Sequence, residues 1–249
     1  MTDHRARLNH NRSELRTLLL LGAFLAAVFV FFVQPERLDL TLSDAQCAAL
    51  NQQWKTKFQE DFNFTNSWKR EEFECPSTHS GLVRALQFLQ ELEIQGSADI
   101  NLYQRLRQGS GELHRDLLFS KAGRAIFSDR RIIVNDLVLV ENNPVQIAGV
   151  LLHEMRHLEE GVNTHVPCKR DSTKICDAEL LDQPQEGGAY NFNIYFLDLV
   201  RQRSKASEFH KKLARRDMQK ILNAHFNKLP EGAAERYDLD PPDWMSAAQ

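Results

Sequence analysis

Residues 143–161 read NPVQIAGVLLHEMRHLEEG. The first four carry a helix start: Asn143 suits the N-cap, Pro144 the first helical position, and Gln146 falls where a capping box places its returning side chain. Gly161 is a natural stop, because glycine takes the left-handed conformation without a steric cost. The spacing therefore predicts a helix over about 144–160. Val145, Ile147, Ala148, Val150, Leu151 and Leu152 are apolar on nearly every side, as in a helix that runs into a core. Out of this apolar run come His153, Glu154 and His157.

Histidines at i and i+4 share one face of a helix, one turn apart. That spacing lets two imidazole nitrogens approach one metal ion at about 2.0–2.1 Å. Glu154, one residue on, projects beside the pair, where a carboxylate can take a proton from water held by the metal. Zinc brings the pKa of such a water towards ~7. The carboxylate can then pass the proton to a leaving amine. Catalytic zinc usually takes three protein ligands, and two residues compete to be the third. His165 follows His157 by eight residues, a short return that needs little assembly. Glu186 opens the next helix in Gln185-Glu186-Gly187-Gly188-Ala189-Tyr190, where two glycines permit close helix approach. Glu159, Glu160 and Asp177 are weaker rivals, and the adjacent Glu159 and Glu160 read as a solvated face. Tyr190, near the same face as Glu186 and Asn193, is a candidate donor to a developing oxyanion.

Outward from this helix the chain is mostly helical. Residues 126–140, IFSDRRIIVNDLVLV, are rich in β-branched side chains and predict a strand or hairpin. GLVRALQFLQELE, residues 81–93, places Leu82, Leu86 and Leu89 at helical spacing, with Ser77 or Ser80 available as a cap. A strong helix is expected from Pro184 through GGAYNFNIYFLDLV, and an amphipathic one over 205–227. The tail from Leu229, rich in Pro, Gly and Asp, is expected to pack loosely. The fold class is α+β, mostly α-helical with a small β-sheet, with the catalytic core at about 126–203 inside one domain at 43–249.

The N-terminus carries TLLLLGAFLAAVFVFFV, residues 17–33, without a charge. It is just long enough for a transmembrane helix. Arg5, Arg7, Arg12 and Arg16 precede it against Asp3 and Glu14, which predicts a cytoplasmic stub at 1–16. Val33-Gln34-Pro35-Glu36 offers no small-x-small cleavage site, so an uncleaved anchor is expected, with a linker at 34–42. The chain then reads as a single-pass inner-membrane protein whose main domain is periplasmic. The four cysteines, Cys47, Cys75, Cys168 and Cys176, all lie on that exported side and predict disulfides, with short separations favouring Cys47–Cys75 and Cys168–Cys176. A formal charge of −3 and the absence of a basic, aromatic-laced stripe give no reason to expect nucleic acid.

HEMRH resembles the signature of the zincin metallopeptidases. That resemblance implies His153 and His157 as zinc ligands, Glu154 as general base, and a peptide or protein as substrate. The metzincin form, HExxHxxGxxH, is approached by Gly161 and His165, but the glycine comes one residue late and the histidine two. In the gluzincin form the third ligand is a glutamate on a following helix, which Glu186 resembles. More loosely, HExRH followed by HVxC, CD and GAY is similar to secreted bacterial proteins with a zincin core, over roughly residues 130–200. A competing expectation is a zincin-like domain that binds metal or a partner without turnover. The retained Glu154 argues against it, since a purely structural site has no use for that carboxylate.

Overall fold

A computed structural model describes residues 80–97, 100–116, 123–126, 130–135, 143–159 and 165–242, with 49, 57–58 and 60–62 before them. The chain divides into two units, 1–41 and 42–249. The expected stub, anchor and linker, Cys47, Cys75 and Gly161 lie outside the described residues. Among the described residues no helix is long and apolar enough to cross a membrane.

The architecture is α+β and mostly helical. Helix α1, Ser80–Glu91, buries Leu82, Val83, Ala85, Leu86 and Leu89. Helix α2, Leu102–Gly109, is capped by Asn101, whose side chain accepts from Gln104 N at 2.8 Å. It packs Leu102, Tyr103 and Leu106 inward. A three-stranded mixed sheet follows: β1 Glu112–Asp116, β2 Gly123–Ile126 and β3 Arg131–Asn135. The order is β1-β3-β2, with β3 parallel to β1 (Leu113 opposite Ile132) and antiparallel to β2 (Ala125 opposite Ile132).

The central element is helix α3, Pro144–Leu158. Its capping box forms as the sequence predicts: Asn143 accepts from Gln146 N, and the Gln146 side chain returns to the Asn143 backbone. All its residues except Gln146 and Val150 are buried, which explains the all-round apolar pattern. It packs against α1, α2, the sheet, and helices α4 (Ala189–Asp198) and α5 (Glu208–Ala224). Gly109 ends α2 directly on the motif helix; a Cβ there would stand 2.6 Å from Met155 Cγ. Gln146 also ties the start of α3 to Asp217 of α5 at 3.1 Å.

Several expectations need correction. α3 stops at Leu158, with Glu159 as its C-cap, two residues short of the predicted end. The helix expected to run unbroken from Pro184 is split: a 3-10 turn at Pro184–Glu186, an extended Gly187–Gly188 step, then α4. α4 passes into a π-helical turn at Leu199–Arg203. Of the strand or hairpin expected over 126–140, the hairpin forms, but it starts earlier: β2, ending at Ile126, pairs antiparallel with β3, Arg131–Asn135, and residues 136–140 lie outside the described residues. As far as residue 242 the tail is not loose. Leu229, Ala233, Ala234, Tyr237 and Leu239 are buried, around a short helix α6 at Ala233–Arg236. These apolar residues, spaced among the polar ones, drive the tail onto the core, and Arg215 Nε fastens it by donating to Asp238 O at 2.9 Å.

Candidate metal centre

α3 presents His153 and His157 on one face, with ring centroids 5.0 Å apart. The third side chain arrives on a ribbon of two short strands, β4 Val166–Pro167 and β5 Ile175–Cys176. They pair antiparallel, Val166 opposite Cys176 and Pro167 opposite Ile175. One step outward along that ladder sets His165 across from Asp177, and His165 Nδ1 lies 3.2 Å from Asp177 Oδ1. The Cys168–Cys176 disulfide, expected from sequence spacing, joins the residue just after β4 to the last residue of β5.

His165 Nε2 lies 2.9 Å from His157 Nε2 and 3.2 Å from His153 Nε2. The three histidines form a group able to hold a metal ion. The donor set fits one. A carboxylate only accepts, so the Asp177 contact places the His165 proton on Nδ1 and leaves its Nε2 as a bare lone pair. Tetrahedral bonds of about 2.0–2.1 Å put neighbouring ligand nitrogens roughly 3.3 Å apart, close to both separations. Burial holds His153 well below the ordinary histidine range, helped by the neighbouring His157, His165 and His225. Burial also takes His157 down to about 4, with His165 adding to the effect and Asp177 opposing it. Both imidazoles are therefore neutral near pH 7, as metal ligands must be.

Asn193 of α4 sits beside His153, its Nδ2 3.4 Å from His153 Nδ1, while its buried Oδ1 has no hydrogen-bond partner among the described residues. Turned over, the amide oxygen accepts the Nδ1 proton of His153 and frees Nε2 for a metal. Asp177 is held as firmly as it holds. Its Oδ2 accepts from Asn191 N and Asn191 Nδ2, both at 2.9 Å. Gly188 makes this possible, because a Cβ there would stand 2.6 Å from Asp177 Oδ2. Arg156, the fourth residue of HEMRH, donates to Gly187 O at 2.9 Å and so fastens the Gly-Gly step to α3.

Glu186 is exposed on the 3-10 turn and does not belong to the histidine group. Of the two contested residues, the structure brings His165 to the pair. Glu154 is buried beside them. Tyr190 packs at 4.7 Å from His153 and 4.8 Å from His165, and stacks on His225 at 4.0 Å. Burial, then the charges of Asp177 and Glu154, push its phenol above the usual range, so it keeps its proton. Asp177, by sequence a rival ligand, has its place behind one instead. Asn191 and His225 escape sequence reading, and no spacing signal marks either. Comparison with known proteins adds no family: no family model, no curated protein and no solved structure matches the chain.

Proposed function

We propose that this chain is a membrane-anchored zinc hydrolase of peptide bonds, with its site facing the periplasm. The observation that carries the reading is the convergence of three imidazole Nε2 atoms from His153, His157 and His165, with Asp177 fixing the proton of the third on the far nitrogen. Two imidazoles on one helix turn and a third from a loop suit zinc among the divalent ions. Zinc held there supplies Lewis acidity and activates water near neutral pH.

The chain's own residues would do the rest. His153, His157 and His165 would hold the ion. Glu154, next to His153, takes the proton from the attacking water and delivers it to the leaving amine. Tyr190, whose phenol stays protonated, donates a hydrogen bond where the carbonyl oxygen gains charge. Asp177 and Asn193 orient the ligand rings. Placement outside the cytoplasm draws support from the disulfide, a bond that persists in oxidising compartments, and from the apolar run at 17–33.

The test is zinc content and peptide cleavage in three variants. Glu154→Gln is expected to keep its zinc and lose cleavage by about 10²- to 10⁴-fold. His165→Ala is expected to bind zinc more weakly and hold less of it than the parent, and Glu186→Ala to hold as much. A Glu154→Gln protein as active as its parent removes the catalytic claim.

A further inference from the structure

The two strands of the β4–β5 ribbon are held differently. β5 runs directly into Asp177, whose N–H donates to His225 O at 2.9 Å and whose carbonyl accepts from Asn227 N at 3.2 Å. The Asp177 carboxylate is gripped by Asn191, and Leu180 N donates to Lys228 O just beyond. β5 is thus the fixed wall of the site. β4, which follows directly on His165, is tied to the body of the domain through side chains instead. Its contacts are a ladder of two residues, Cys168 N donating to Lys174 O, the Asn227 side chain touching Pro167 O and Lys169 N at the surface, and Arg170 reaching Phe226 O. A ribbon this short has no stability of its own in water. The covalent link between strand and wall is Cys168–Cys176, three residues after His165 and one before Asp177. Both sulfurs rest against Ala224 O at the end of α5. His153 and His157 depend on neither strand, since both stand on α3.

We propose that the Cys168–Cys176 bond gates the metal site. Closed, it keeps His165 over α3. Opened, it lets β4 move away with the third ligand, while His153 and His157 stay in place. The proposal rests on the metal reading above. Opening takes two electrons and two protons: the S–S bond breaks, each sulfur becomes a thiol, and a dithiol reductant is itself oxidised to a disulfide. The reverse step, in which the two thiols pass two electrons to a disulfide oxidant that leaves as a dithiol, assembles the site. A chain still in a reducing compartment holds only a pair of imidazoles, so its hydrolytic centre is completed only after it has left.

The experiment measures zinc affinity by chelator competition on the full-length chain in three forms: oxidised, reduced with a phosphine, and Cys168→Ser/Cys176→Ser. The double serine variant removes the bond without offering thiols to zinc and leaves Cys47 and Cys75 untouched. Both disulfide-free forms are expected to bind zinc about tenfold to hundredfold more weakly, the scale of losing a ligand's support, with an unchanged far-ultraviolet circular dichroism spectrum. His165→Ala is expected to weaken binding by a similar factor in the oxidised protein and to change little in the serine background. Equal affinity in all three forms overturns the gate. So does a loss of helical signal alongside the metal, because the bond would then hold the whole domain rather than one ligand. Absence of zinc from the oxidised protein sinks the metal reading itself.

Discussion

Asp177 is 2% exposed, and both of its carboxylate oxygens are engaged. One accepts from His165, the other from Asn191 twice. An amide has a single acceptor oxygen. Asp177→Asn must therefore turn an NH₂ group either towards the Asn191 donors or towards the His165 N–H, and one contact becomes a clash of donors. Zinc affinity is expected to fall about 10- to 100-fold, the usual scale for removing a partner behind a metal ligand. Gly188→Ala should shift affinity in the same direction by crowding the same carboxylate. Chelator competition on the two proteins reads both effects. Affinity equal to the parent in Asp177→Asn would remove Asp177 from the site's support.

At the scale of the element, α3 has two ends with separate duties. Its capping box lies ten residues before His153, about 15 Å away at the helical rise. Asn143→Ala is expected to cost about 1 kcal/mol of stability and to leave zinc stoichiometry unchanged, as thermal unfolding and metal analysis would show. The same helix shows what a sequence makes legible. Asn143, Pro144 and Gln146 announce a start through local chemistry, and the i, i+4 histidines announce a shared face. α1 and α5 are legible for the same reason, since their apolar residues recur at helical period. β1, with sequence ELHRD, is short and polar, and its pairing depends on a partner strand about twenty residues away. α2 has only eight residues, too few for its period to stand out. The sequence leaves His165 and Glu186 in competition because the choice turns on a loop path rather than a pattern. Asp177 acts through a cross-strand register that no spacing encodes. The glycine pair makes its close contacts with Asn191 and Asp177 rather than with α3, and its extended step breaks the helix, which leaves Glu186 out on the preceding turn.

Across the whole molecule, the segment around Phe58 and Phe62 is joined to α2 by one charged node. Asp61 accepts from Tyr103 Oη at 2.5 Å and Lys57 Nζ at 2.6 Å, and pairs with Arg107 Nε at 3.1 Å. Phe62 meets Tyr103 edge-on at 5.5 Å. Burial alone would raise the Asp61 pKa, but the Lys57 and Tyr103 hydrogen bonds and the Lys57 and Arg107 charges bring it below the ordinary carboxylate value of 3.8. A depressed carboxylate contributes stability in full above its unfolded pKa and loses it as pH falls through the folded one. The difference in melting temperature between the parent and Asp61→Asn should therefore be constant above about pH 5 and shrink below about pH 4. A difference that grows on acidification would reverse the assignment.

The buried tail sets an order of events. Residues 225–228 clasp the ribbon, and the apolar residues from Leu229 to Leu239 fasten that clasp to the core. Chains are made from the N-terminus onward. α3, with two of the three histidines, therefore emerges well before the residues that steady the third. A chain made only as far as α3 has two of the three histidines and none of the residues that steady the third.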